Sequence, residues 1–335
     1  MNLREHGDTL AREGMLDFAV NVWPAPRPAA LERALAEALA DSGRYPSEQP
    51  ARQAIAARHG RSVEEVLLLN GACEAFWLLA HTYRPKVSVC IHPSFTEPEA
   101  ALRAAGGEVV RVQREPEQWI FRPVDVPEEA QLVVVGHPNN PTGNLDAAEA
   151  ITALGRRWRL LVVDESFIDF VPHSEASLAG RAEVPGLAVI RSLTKLWALP
   201  GIRAGYLLAP AEIVERLAAH RQPWSVNTLA CAALTTCASD RDTPRRVAAQ
   251  VASAREELAE ALQLLPGLRV WPSQANFLLL RVPDDAGLVE ALRERRIAVR
   301  PAASFPGLDE RYIRVAVRTR ADNRLLVNAL TEILA

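Results

Sequence analysis

The chain has 335 residues, 49% hydrophobic and 24% charged, with 38 Lys and Arg against 41 Asp and Glu. A net charge of −3 provides no basic field for nucleic acid or an anionic membrane, and so apolar a chain is not disordered. Apolar runs are short and broken by charges, far below the roughly 18 residues of a membrane span. The stretch Met1 to Asp8 has no apolar leader core, so a cytoplasmic protein of about two domains is expected.

The Pro-rich stretch Trp23-Pro24-Ala25-Pro26-Arg27-Pro28 is extended, and residues 1–28 are expected to form an arm across both domains rather than a core element. From 29 to 240, β-branched runs at 66–69, 87–91, 132–135, 160–163, 187–190 and 205–208 alternate with helical patterns, among them 72–82, 95–106 and 146–157. Continuous apolar strands spaced by helices specify an α/β domain with a mostly parallel sheet covered on both faces. Ligands of such sheets gather at the carboxyl ends of the strands. From 241 to 335 a long helix (243–265) precedes strands near 268–271, 276–281, 297–300 and 312–317. Helices at 285–296 and 319–334 complete a smaller α+β domain. Cys73, Cys90, Cys231 and Cys237 form no Cys-x-x-Cys and the seven histidines no His-x-x-x-His, so reduced thiols and no metal are expected.

Residues with chemistry fall at the strand ends. In Ser192-Leu193-Thr194-Lys195-Leu196-Trp197 a lysine stands among apolar neighbours, where burial disfavours the ammonium and makes the amine a usable nucleophile. Taken alone, it also reads as a surface lysine. Ser192 and Arg203 flank it with groups suited to phosphate. Asp164, after Val162-Val163, suits a protonated pyridine nitrogen, or is a plain helix cap. His137-Pro138-Asn139-Asn140-Pro141-Thr142-Gly143 offers Asn140 as a donor to a phenolate oxygen, or only a turn. Asn70-Gly71-Ala72-Cys73 lies where a strand yields to a helix, whose N-terminal N–H groups bind phosphate. His92-Pro93-Ser94-Phe95 sets an aromatic face after another strand, or a core residue.

These five segments, in this order on one α/β chain, resemble the fold-type-I pyridoxal-phosphate enzymes of the aspartate aminotransferase superfamily. Within it, the chain is most similar to the branch of histidinol-phosphate aminotransferases and the threonine-phosphate decarboxylases of cobalamin biosynthesis. The likeness runs from His6 to the last helix. It implies a pyridoxal 5′-phosphate cofactor joined to Lys195 as a Schiff base, Asp164 on the pyridinium nitrogen, Asn140 on the ring oxygen and Phe95 stacked on the ring. Ser192, Arg203 and the backbone of Gly71, Ala72 and Cys73 would hold the cofactor phosphate. Tyr45, in Arg44-Tyr45-Pro46, would reach the cofactor phosphate of a neighbouring subunit, in a homodimer with shared sites. For the substrate, the resemblance implies Arg314 on an α-carboxylate, Asn21 in a closing arm, and Arg320 and His6 near a substrate phosphate. Two departures stand out. Phe167 replaces a tyrosine that bonds the ring oxygen in many relatives, which removes a donor and raises the Schiff-base pKa; Cys73 replaces an acidic residue.

The implied reaction is transamination of a small phosphorylated amino acid or amine. Decarboxylation of threonine phosphate is the alternative, and a non-catalytic ligand-binding relative a remote third. The bond at the substrate's Cα that stands perpendicular to the ring is the one that breaks. A C–H bond there leads to transamination with Lys195 as general base; a carboxylate there leads to loss of carbon dioxide. The same inner residues serve both, so the substrate-orienting residues decide. Lys195 and Asp164 are both present, which argues against the third reading.

Overall fold

In the computed structural model, which describes residues 3–5, 7–172, 174–283 and 287–334, a short strand β1 (Leu16–Asp17) precedes helices α1 (Ala29–Ala40) and α2 (Gln49–His59). Strands and helices then interleave: β2 (Val66–Asn70), α3 (Cys73–Tyr83), β3 (Val87–His92), α4 (Glu97–Ala104) and β4 (Glu108–Gln113). β5 (Leu132–Gly136), α5 (Ala148–Thr152), β6 (Leu160–Asp164), β7 (Leu187–Ser192) and β8 (Ala204–Leu208) follow. One seven-stranded sheet results, in the order β2-β8-β7-β6-β5-β3-β4. Its pairings are parallel except those of β8, which runs antiparallel to both β2 and β7. This is the expected α/β architecture with a mostly parallel sheet.

Successive strand residues point to opposite faces, and here both faces are apolar. Leu68, Val89, Val133, Leu161 and Val189 share one cluster with α1, α2, α7 (Thr228–Ser239) and α8 (Asp242–Gln263). Leu67, Cys90, Val134, Val162 and Ile190 meet α3, α4 and α6 (Ala211–Ala219) on the other side. Burying each Val, Leu or Ile contributes roughly 1.5–3 kcal/mol, so helices cover both surfaces.

The C-terminal elements are β9 (Arg269–Val270), β10 (Phe277–Arg281), α9 (Gly287–Glu294), β11 (Ile297–Ala298), β12 (Arg300–Pro301), β13 (Tyr312–Ala316) and α10 (Arg320–Leu334). An antiparallel sheet runs β12-β13-β10-β9. The single strand expected near 297–300 is two: β11 pairs in parallel with β1, while β12 joins β13. The arm also differs from expectation, since Phe18 and Trp23 are buried in the main core. Backbone pairing draws them in: Phe18 N donates to Ala298 O at 2.8 Å and Trp23 N to Lys195 O at 3.0 Å. The helix expected over 146–157 ends at Thr152, where Arg156 Nη1 turns back to the carbonyls of Ala153 and Gly155. Among the described residues no helix is long and apolar enough to cross a membrane.

Candidate active site

Parallel strands deliver their carboxyl ends to one edge of the sheet, and an antiparallel strand delivers its amino end there. Gly71 to Cys73 after β2, Phe95 after β3, Asn140 after β5, Asp164 ending β6, Ser192 to Lys195 at the end of β7 and Arg203 before β8 therefore converge. A cavity of about 460 Å³ opens at this edge, and Ala72, Cys73, Phe95, Asn140, Asp164 and Ser192 line it. Lys195, Arg203, Asn21 and Arg314 line it too.

Asp164 accepts two hydrogen bonds from Ser166, from its N at 3.0 Å and its Oγ at 2.5 Å, both on Oδ1. Oδ2 accepts none among the described residues. Burial lifts the carboxyl pKa above its ordinary value, against the bonds from Ser166 and the charge of Lys195. A cation facing Oδ2 would relieve that desolvation. The amine of Lys195 lies 5.9 Å from the centre of the Phe167 ring, which stands edge-on to Phe277 with centroids 5.0 Å apart. Of the 38 Lys and Arg residues, Lys86 and Lys195 alone are lysine. Arginine serves wherever a charge suffices, but a guanidinium does not give up its proton, whereas an amine does.

At the other side of the cavity, Gly71 takes φ +79°, and a Cβ there would stand 2.4 Å from Arg203 Nη2. Arg203 itself has φ +61°, and its Nη1 donates to Pro200 O at 3.1 Å. Helix α3 starts at Cys73; Glu74 N and Ala75 N donate back to Gly71 O and Ala72 O, each at 3.1 Å, while the N–H groups of Ala72 and Cys73 at its start have no acceptor within the helix. The Cys73 thiol is pushed up to about 12, first by burial and then by Glu97, whose Oε2 lies 3.8 Å from Sγ. It is neutral at physiological pH, and the carboxylate beside this loop comes from α4 instead. Phe95 and Phe76 tilt together at 6.2 Å between centroids.

Arg314, 6% exposed on β13, donates from Nη1 to Asn140 Oδ1 at 2.5 Å and from Nη2 to Ala19 O at 2.7 Å. Its Nε is buried without a partner, as is Asn21 Oδ1. With its amide oxygen engaged, Asn140 keeps Nδ2 as its donor. Burial, reinforced by Arg300, lowers the Arg314 pKa to about 9.

Sequence reasoning missed Arg300. It is paired with Arg314 across β12 and β13, is 3% exposed and lines the same cavity. Its Nη1 donates to Glu5 Oε1 at 3.0 Å, and its Nη2 to Glu5 O at 2.7 Å and Ser304 Oγ at 2.6 Å. Arg4 was missed as well; its guanidinium sits 5.2 Å from the Trp77 ring centre and 3.6 Å from Glu97 Oε1. The available signal was a lone arginine between apolar strand residues: Val299-Arg300-Pro301 repeats the pattern of Ile313-Arg314-Val315.

Three expected residues lie outside the cavity lining: Gly71, which backs onto Arg203, together with Arg320 and Tyr45. Arg320 opens α10 and pairs with Glu257 of α8, and its Nη2 also donates to Ser253 Oγ at 3.1 Å; with Glu257 it lines a separate groove between α8 and α10. This corrects its expected place beside a substrate phosphate. Tyr45 is 77% exposed and stacks on Trp224 at 4.5 Å between centroids. His6 lies outside the described residues.

A family model for class I and II aminotransferases matches residues 13–330. A histidinol-phosphate aminotransferase of Mycobacterium tuberculosis is 42% identical over 94% of this chain and 87% of its own length. A threonine-phosphate decarboxylase of Salmonella typhimurium is 33% identical over 99% of this chain and 95% of its own. The crystal structure of the histidinol-phosphate aminotransferase from Clostridium acetobutylicum has a TM-score of 0.89 at 27% identity, covering 95% of this chain and 99% of that one.

Proposed function

The chain belongs to the class I and II aminotransferase family, and from that premise we propose that it is a pyridoxal-phosphate-dependent enzyme acting on a small phosphorylated amino acid or amine, in the manner of a histidinol-phosphate aminotransferase. The observation that carries this reading is the convergence of Lys195, Asp164 and Arg314 on one cavity. The residues fit the cofactor. Asp164 has an open oxygen for a pyridinium nitrogen, Gly71 removes the Cβ that would displace Arg203, and the start of α3 presents N–H groups to a phosphate.

When bound, the cofactor supplies an aldehyde that joins amines and a ring that accepts the electron pair left when a bond to the substrate's Cα breaks. Lys195 would hold that aldehyde and, once freed by the substrate amine, would take the proton from Cα as general base. Asp164 would keep the ring nitrogen protonated. Asn140 would donate from Nδ2 to the ring oxygen, Phe95 would offer its face to the ring, and Ser192, Arg203 and the Ala72–Cys73 backbone would hold the phosphate. Arg314 would offer the bidentate fork that a carboxylate needs, and its unpartnered Nε supports that reading. Asn21 closes over the substrate.

A second reading, loss of carbon dioxide from threonine phosphate, is favoured by Arg300. Two buried guanidiniums side by side accept two anionic groups of one molecule. A substrate held by its phosphate then has its carboxylate available to stand perpendicular to the ring. The test offers histidinol phosphate with 2-oxoglutarate and, separately, threonine phosphate. Glutamate without carbon dioxide supports the first reading and eliminates the second, and the converse does the opposite. We also propose a homodimer in which a second copy covers the exposed Tyr45–Trp224 pair and receives Tyr45 at its cofactor phosphate. A cytoplasmic setting suits its four free thiols.

A further inference from the structure

We propose that Glu5 is an internal anion that competes with the substrate for Arg300, and so weakens the hold of the empty-cavity form on molecules with two anionic groups while sparing Arg300 from standing as an uncompensated buried charge. The inference rests on the reading of this cavity as the place of a phosphorylated substrate. Arg300 and Arg314 are neighbours across β12 and β13, both almost fully buried, and both face the cavity that holds Lys195. Two buried guanidiniums at this spacing repel each other, and the depressed pKa of Arg314 records part of that repulsion. Arg314 has only neutral acceptors, Asn140 Oδ1 and Ala19 O. Arg300 has Ser304 Oγ, the Glu5 carbonyl and one carboxylate, that of Glu5.

The Glu5 side chain is 47% exposed against 3% for Arg300. It can therefore swing into water without being stranded, whereas Arg300 cannot follow it. A carboxylate bound at Arg314 leaves the second anion of the same molecule directed at Arg300, where it meets Glu5. Like charges do not share the guanidinium, so Glu5 withdraws. A molecule with a single anion leaves Glu5 in place, and Arg300 then never becomes an uncompensated buried charge. Glu5 thereby lowers the apparent affinity for the dianionic substrate while keeping the empty cavity stable. The rest of the segment stays anchored without it, because Thr96 Oγ1 donates to Leu3 O at 2.5 Å and Arg4 lies over Trp77.

The experiment titrates inorganic phosphate into the cofactor-loaded protein by calorimetry, with the cofactor's own phosphate position already filled. Glu5→Gln should bind phosphate about fivefold tighter than the wild type, as expected for removal of a partly exposed ion pair. Glu5→Ala should move in the same direction, and Arg300→Met should abolish binding. In turnover, Glu5→Gln should lower KM for the phosphorylated substrate at constant kcat, with no gain for an analogue lacking the phosphate. Unchanged or weaker phosphate binding in both Glu5 variants, with Arg300→Met still abolishing it, would overturn the proposal and leave Glu5 as an anchor only. Phosphate binding that is absent, or indifferent to Arg300→Met, overturns it by a different route and counts against the phosphorylated substrate as well.

Discussion

Gly71→Ala separates a backbone cost from a cost in ligand binding. At φ +79° an alanine pays the left-handed penalty, about 1–2 kcal/mol. Its Cβ also meets Arg203 Nη2 at 2.4 Å. Arg203 is exposed and its far end moves easily, so the clash resolves by turning the guanidinium aside rather than by unfolding. Losing one charge-assisted contact to the cofactor phosphate costs roughly 1.5–3 kcal/mol, which is about 10- to 100-fold in affinity. Gly60 is the control, with φ +63° and nothing within 4 Å of a Cβ. Urea unfolding of the cofactor-free proteins should give Gly71→Ala and Gly60→Ala similar losses. Equilibrium titration with cofactor, followed by its absorbance, should show weakened binding in Gly71→Ala alone. Equal cofactor affinity in the two variants would refute the assignment of Arg203 to the phosphate.

Borohydride reduction of the cofactor-loaded protein should place the label on the peptide bearing Lys195 and leave Lys86 unlabelled; Lys195→Ala should lose both the label and, by about 10²–10⁴-fold or more, the activity. Mass spectrometry with only two lysines to distinguish decides it. In the cofactor-free protein, Asp164 holds its proton to higher pH than in the unfolded chain, so the native state binds more protons. Stability should therefore fall as pH rises from 3.8 through the raised value. Asp164→Asn should flatten that slope in urea titrations, and an unaltered slope would assign it to other carboxyls. Arg320→Ala should leave KM within about twofold of the wild type, because its partners are Glu257 and Ser253; a large rise in KM would return it to the substrate.

The apolar runs at 66–69, 87–91, 132–135, 160–163, 187–190 and 205–208 were legible because strands buried on both faces need no alternation, and each is a strand of the large sheet. β4 was not, since Glu108-Val109-Val110-Arg111-Val112-Gln113 mixes charge with apolar residues, as an edge strand with an exposed side does. The cavity residues that follow those strands could be placed together because the edge is set by strand direction. Arg300 and Glu5 could not, because a contact between residues 295 apart in sequence depends on how the arm lies against β12. Arg320 was misplaced for the same reason: a residue at the start of a helix faces wherever the helix packs.

Ser192 and Gly205 sit opposite each other across β7 and β8, so residues 193–204 form one excursion with both feet fixed at adjacent points of the sheet edge. The amine of position 195 is mounted near one foot and the guanidinium of position 203 at the other. The span between them acts as a calliper, and a single inserted residue would spoil both jaws together. Length variation in this excursion is therefore forbidden in a way that it is not for surface turns, and a functional insertion library should come back empty across this stretch.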